Sequence, residues 1–216
     1  MEGNRPLRSD ARQNRDRILA AATEVFAEFG PSAPLEEISR RAGTGIATLY
    51  RRFPDRQALW HAVVVDALTR TLAEARLAVA EEPDAFAALA RYMHRALDIR
   101  VAAVIPALLR VVTLDDAETN AVREPGVTLL QRLIDTAKRE GALRTDVTFA
   151  DIGTLVVRLS RPLPGGFSRE QNDALAHRHL DLLINGLRAV PDRAGALSGP
   201  ALGLEELRRL RQRTGD

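Results

Sequence analysis

The residues best equipped for chemistry lie between Arg40 and Arg56, where Arg40, Arg41, Arg51, Arg52 and Arg56 alternate with the hydroxyl-bearing Thr44, Thr48 and Tyr50. Arginine keeps its charge and grips a phosphate with parallel N–H donors, and a threonine hydroxyl reaches a phosphate or a base edge. The stretch carries one acid, Asp55. A basic, hydroxyl-rich surface of this kind is chemistry for nucleic acid.

No other set of reactive side chains assembles. The histidines are His61, His94, His177 and His179; the last two stand two apart in a helical stretch, so their rings point to different sides and do not chelate as an i, i+4 pair does. Cysteine is absent, which removes disulfides, thiolate metal sites and thiol nucleophiles. The Gly165-Gly166 pair lacks the Lys-Ser/Thr that makes a phosphate cradle, and neither G-x-G-x-x-G nor G-x-S-x-G occurs. The expectation is therefore no enzyme, no cofactor and no metal.

The elements that position the basic stretch are short helices. Ile18, Ala22, Val25, Phe26 and Phe29 fall on one helical stripe that Gly30-Pro31 stops. Leu35, Ile38 and Ala42 follow at spacings of three and four, with Glu36 and Glu37 where the helix dipole favours negative charge, and Gly43 ends that helix after about two turns. A third piece, Gly45 to Phe53, puts Ile46, Leu49 and Phe53 on one face before Pro54-Asp55 opens a long fourth helix. Two short helices around a Gly-containing turn are the signature of a helix-turn-helix, whose second helix enters the major groove while the first crosses the backbone, or else they make a plain helical hairpin. Ile38, Ala42 and Leu49 face inward, and Arg40, Arg41, Thr44, Thr48, Arg51 and Arg52 face outward.

The ordered series Arg17-Ile18-Leu19-Ala20-Ala21-Ala22, Val25-Phe26, Gly30, Leu35-Glu36-Glu37-Ile38, Ala42-Gly43 and Thr48-Leu49-Tyr50-Arg51-Arg52-Phe53 closely resembles the N-terminal domain of TetR-family regulators. The resemblance runs from Asp10 to Val65; beyond it, only helix length and order agree. It implies an all-helical fold, a homodimer, and operator binding relieved by a small-molecule effector. It also implies base-proximal roles for Thr44, Gly45, Ile46, Ala47 and Thr48, and phosphate contacts for Tyr50, Arg52 and Arg56. Ala33 and Pro34 replace the Ser or Thr cap that many members carry, and Arg52 replaces a common His or Tyr. Arg5, Arg8, Arg12 and Arg15 read either as a DNA-following arm, residues 1–12, or as a solvated basic terminus.

Composition agrees with an all-α chain: 216 residues, 45% hydrophobic but only 4% aromatic, rich in Ala, Leu and Val. Net charge is +2, so the position of the arginines, not their number, points to DNA. With no apolar run of membrane length and a polar start, the expected setting is the cytoplasm. The expected division is a DNA-binding unit over 1–54, a ligand-binding and dimerisation bundle over 55–190, and a loosely attached tail over 191–216.

Pro106, Pro125-Gly126, Gly141, Pro162-Leu163-Pro164-Gly165-Gly166 and Pro191 divide the bundle into helices of about 10 to 20 residues. Trp60, Tyr92, Met93, His94, Ile105, Leu109 and Arg110 mix aromatic and polar groups among aliphatics, as an effector pocket does, or else they simply fill a core. The last long stretch, Arg169 to Val190, is apolar over much of its circumference through Leu180, Leu183 and Leu187. In the resembled family the last two long helices pair across a two-fold axis; within one chain the same residues would serve as core. The rival functions are a helical small-molecule-binding protein and an effector-independent activator.

Overall fold

The computed structural model describes residues 5–108 (with side chains from Asp10 onward), 116–190, 197–199, 201–204 and 206. Among the described residues there are nine helices, α1 (Arg5–Phe29), α2 (Leu35–Arg41), α3 (Ile46–Arg52), α4 (Arg56–Glu81), α5 (Ala85–Ile99), α6 (Val101–Leu108), α7 (Ala117–Arg139), α8 (Phe149–Leu159) and α9 (Arg169–Leu187). Extended pairing among them is confined to one bridge, Leu143 with Arg188, which ties the α7–α8 loop to the end of α9. No helix among the described residues is long and apolar enough to cross a membrane.

Apolar burial divides between two clusters. The first gathers Ile18, Leu19, Val25 and Phe26 of α1, Leu35 and Ile38 of α2, Leu49 of α3, Leu59 and Val63 of α4, and Val104 and Leu108 of α6. The second is built from α5, α7, α8 and α9 around Met93, Ile134, Leu143, Ile152 and Leu180, with Ala78 near the far end of α4. Each fully buried Leu, Ile or Phe side chain contributes about 1.5–3 kcal/mol, so these clusters hold the short helices, which are too brief to persist alone. The N-terminal core does not stop at residue 54, because the first turns of α4 and the buried side of α6 complete it. Helix α4 therefore belongs to both clusters.

Side-chain caps explain the sharp starts. Asp55, Asp84 and Asp116 accept from the backbone N–H three residues ahead, and Thr148 and Ser168 close full capping boxes with Asp151 and Gln171. Three starts or stops differ from the sequence expectation. The N-terminal stretch, expected as an arm over 1–12, is already helical from Arg5. Pro125-Gly126, expected to punctuate, lies inside the continuous 23-residue α7, and Pro106 lies inside α6. A proline costs the helix one N–H donor, and packing of Leu130, Leu133 and Ile134 into the core holds α7 through that loss. The third difference is the break between α5 and α6. It falls at Arg100, whose φ of 58° is the left-handed conformation that usually selects glycine.

Candidate nucleic-acid interface

The turn between α2 and α3 works because Gly43 takes φ +62° at no Cβ cost. The Ala42 N–H donates to the Ile38 carbonyl at 2.9 Å, and the Thr44 N–H to the Ser39 carbonyl at 3.0 Å, which closes the reversal. Ile38 and Leu49 are fully buried and Ala42 and Phe53 nearly so, so one face of each short helix is fixed against α1 and α4. The opposite face of α3 is thereby forced outward.

That outer face carries Gly45, Ala47, Tyr50, Arg51 and Arg52, with Thr44, Ile46 and Thr48 beside them; Tyr50, Arg51 and Arg52 are exposed. Tyr50 is 47% exposed, high for an aromatic with no role inside the fold. Among the described residues, Tyr50 and Arg52 make no hydrogen bond or ion pair. Arg51 donates to the Thr48 hydroxyl at 2.8 Å, which leaves the Thr48 O–H and its second lone pair for an outside partner. Ile46 leans against the N-terminal core and so offers only part of its side chain outward. The N-cap positions of α2 and α3, Pro34 and Gly45, give no side-chain cap.

The neighbouring arginines are used differently. Arg56 donates to the carbonyls of Pro31 at 3.1 Å and Ala33 at 2.5 Å, tying the start of α4 to the α1–α2 loop. Arg41 pairs with Glu28 at 2.8 Å and Glu37 at 2.7 Å, and Arg40 pairs with Glu37 at 2.7 Å. Those two guanidinium groups, Arg40 first, hold the Glu37 carboxyl down at about 2. Arg40, Arg41 and Arg56 are thus engaged within the fold, and Tyr50, Arg52 and the outer half of Thr48 remain available on one surface.

Of the seven residues expected to form an effector pocket, the five that are described do not come together. Trp60 and Ile105 pack on the N-terminal cluster, while Tyr92 and Met93 belong to the C-terminal one, where burial of its hydroxyl end pushes the Tyr92 phenol up to about 12. His94 is bonded to His177 and Asp181, and Leu109 and Arg110 lie outside the described residues. The indole N–H of Trp60 is buried and has no acceptor among the described residues. A cleft of about 430 Å³ opens elsewhere, where the end of α1, the α5–α6 corner and the α8–α9 loop meet, lined by Glu28, Asp98, Arg100, Arg161, Arg169 and His177 among others. None of the five described ones lines it, and spacing along the sequence carries no signal of it, because its walls come from four separate segments.

Of the residues expected at a dimer face, Leu180 is fully buried and Leu187 nearly so inside the chain's own core, and Leu183 is half-buried. Among the described residues the exposed large apolar side chain on α9 is Leu182, at 63%. The stripe on α9 was legible, but which neighbour it faces depends on α5 and α8, whose placement no spacing reveals.

Fold and surface together define a helical helix-turn-helix protein with a second helical domain behind it. Residues 18–63 match the family of bacterial regulatory proteins of the tetR type, and residues 82–189 match the SbtR-like transcriptional regulator C-terminal domain. The chain is 33% identical to a TetR transcriptional regulator from Streptomyces coelicolor, covering 82% of this chain and 99% of that one with a TM-score of 0.57. It is 31% identical to a TetR regulatory protein from Mycobacterium vanbaalenii, covering 85% and 99% with a TM-score of 0.59. An HTH-type transcriptional regulator of Staphylococcus aureus is 37% identical over 59 residues, 27% of this chain. The chain spans about a third of the length of that curated relative, 32%. The chain belongs to the TetR family.

Proposed function

We propose that this protein is a homodimeric transcriptional repressor that docks α3 in the major groove of a two-fold operator and is released by a small-molecule effector. The observation that carries the reading is the outer face of α3, where Tyr50, Arg52 and Thr48 stand exposed or half-exposed on a helix whose other face is locked into a core. Tyr50 and Arg52 supply phosphate contacts that set register, and Thr48, with Ala47 and the outward part of Ile46, meets base edges and thymine methyls.

Helix α4 is the proposed transmission element, since its first half completes the N-terminal core and Ala78 near its end joins the other. Two half-sites about 34–36 Å apart must be met at once, so a shift of α4 that moves the paired recognition helices by a few Å ends simultaneous docking. The buried Trp60 N–H, on the same cluster as Ile105, gives an effector a directional donor in an apolar setting. The outer faces of α8 and α9 form the proposed dimer contact, with Leu182 at its exposed centre and Leu183 at its edge.

Selection of a random duplex library on the purified full-length chain tests this reading. The expected product is one enriched, palindromic sequence with half-sites about one helical turn apart. No enrichment after repeated rounds would refute the DNA-binding claim. Leu182→Glu is expected to give a helical monomer that binds the same duplex far more weakly, because two charges meet across one axis; an unchanged dimer by sedimentation would remove α9 from the interface.

A further inference from the structure

Two His-x3-Asp turns face each other across the junction of α5 and α9. His94 and Asp98 lie one turn apart on α5, His177 and Asp181 one turn apart on α9, and the pairing crosses over. His94 Nε2 lies 3.1 Å from Asp181, His177 Nε2 lies 3.0 Å from Asp98, and the two Nδ1 atoms are 2.8 Å apart. The rings are parallel to within 5° with centroids 5.1 Å apart. The Nδ1···Nδ1 distance and the two ring radii account for that whole separation. The rings therefore meet edge to edge in a common plane, and the nitrogens point straight at one another.

This chain of four groups fixes a proton count. Each carboxylate accepts, so each Nε2 carries a hydrogen, and both Nδ1 atoms then present a lone pair toward the other. A contact of 2.8 Å between two such nitrogens is bonding only when one proton sits between them, making one ring an imidazolium and the other neutral. If a second proton arrives from solvent, two N–H donors of two cations oppose each other. If the shared proton leaves to solvent, either two lone pairs oppose each other or one ring shifts its Nε2 proton to Nδ1 and turns a lone pair on its carboxylate, so one of the three contacts is lost. Only the middle state holds.

We propose that the His94–His177 pair is a one-proton clamp that locks α5 to α9 within a window of pH and lets go on both sides of it. The charged groups around the clamp are laid out to transmit that release. On α5, Arg95 bonds Asp98 at 3.1 Å and Glu74 of α4 at 3.1 Å. At the α5–α6 corner Arg100 bonds Asp173 of α9 at 2.9 Å, one turn before His177. Two turns before His177, Arg169 bonds Glu24 of α1 at 2.9 Å, and Glu28 and Arg161 share the adjoining cleft. The first turns of α9 thus hold the C-terminal domain to α1, whose Glu28 in turn pairs with Arg41 of α2. Release of the clamp loosens that connection.

The experiment uses the full-length chain with 15N-labelled histidine, so that the four imidazoles are followed by NMR from about pH 4.5 to about pH 9.5, a range that brackets the ordinary histidine value. Amide hydrogen exchange of α9 is measured alongside, after correction for the intrinsic rate. The expected result is that His94 and His177 titrate as a coupled pair in two separated steps. Corrected protection of α9 amides near His177 should peak between those steps and fall at least about tenfold on each side. In His94→Asn the remaining His177 should titrate in one step and the maximum should vanish; in His179→Asn both features should persist. Independent single-step titration of His94 and His177 in the unsubstituted chain, or protection that does not change across the range, would overturn the clamp. The titration needs no variant and no DNA, so it stands or falls apart from the regulatory reading.

Discussion

The outer face of α3 and the junction of α5 with α9 are both rich in charged and polar groups, yet they are built on opposite plans. At the junction cations are matched by anions within the fold: Arg95 with Glu74, Arg100 with Asp173, Arg169 with Glu24. On α3, Tyr50 and Arg52 have no such partner among the described residues. Exposed ion pairs contribute only about 0–1 kcal/mol each, so the junction's pairs position helices more than they stabilise them. A face left unpaired beside a fully packed one is a face kept for something outside the chain.

The largest expected effect tests the packed side of that contrast. Leu49 is fully buried, and Leu49→Ala should cost about 2–5 kcal/mol of stability in chemical denaturation and weaken DNA binding with it. A cost below about 1 kcal/mol would mean that α3 is not held as described.

Next comes the reading side. Thr48→Ala should leave the melting temperature nearly unchanged and relax preference at one base pair in each half-site by about 1–3 kcal/mol, measured by competition against single-base operator variants. A uniform loss across all variants would instead make Thr48 a phosphate contact.

A pH experiment separates Glu37 from the rest. Its carboxyl is held at about 2 by Arg40 and Arg41, below an ordinary value of 4.5. A depressed acid contributes stability that is fully present above its unfolded value and is lost as pH falls from about 4.5 toward 2. Thermal melts across that window should show an acid loss that Glu37→Gln lacks; identical acid profiles would show that the pair contributes nothing.

The smallest effect concerns Arg100, where left-handed backbone strain of about 1–2 kcal/mol opposes a bond to Asp173 worth about 0–1 kcal/mol. Arg100→Gly should therefore be neutral or slightly stabilising. Arg100→Ala, which keeps the strain without the bond, should be the less stable of the two by denaturant midpoint.

How much of this could be read from sequence follows from the range of the interactions involved. Gly43, the stripe through Ile38 and Leu49, and the outward Thr48, Tyr50, Arg51 and Arg52 were legible because turn, period and resemblance are all local. The partners that Arg56 and Arg41 find outside their own helices were not, since Pro31, Ala33 and Glu28 come from other segments and nothing in spacing orients a long side chain. The same reason hid the junction. Spacing sets His177 beside His179, two residues away, whereas its partner His94 lies 83 residues distant in sequence. Pro125 misleads in the other direction, as tertiary packing carries α7 across a residue that locally ends helices. Leu180 and Leu187 are legible as apolar helix positions, but whether they meet α5 or a second chain is decided only in three dimensions.

The most direct test of the central claim is the salt dependence of binding to the selected duplex, compared between the unsubstituted chain and Arg52→Ala. Log affinity should fall linearly and steeply with log salt concentration, and removing Arg52 should reduce that slope by about 1 for each phosphate its guanidinium neutralises, while thermal stability stays unchanged. Parallel lines of equal slope would show that Arg52 does not touch DNA, and a binding constant insensitive to salt would contradict the account of α3 as a nucleic-acid surface.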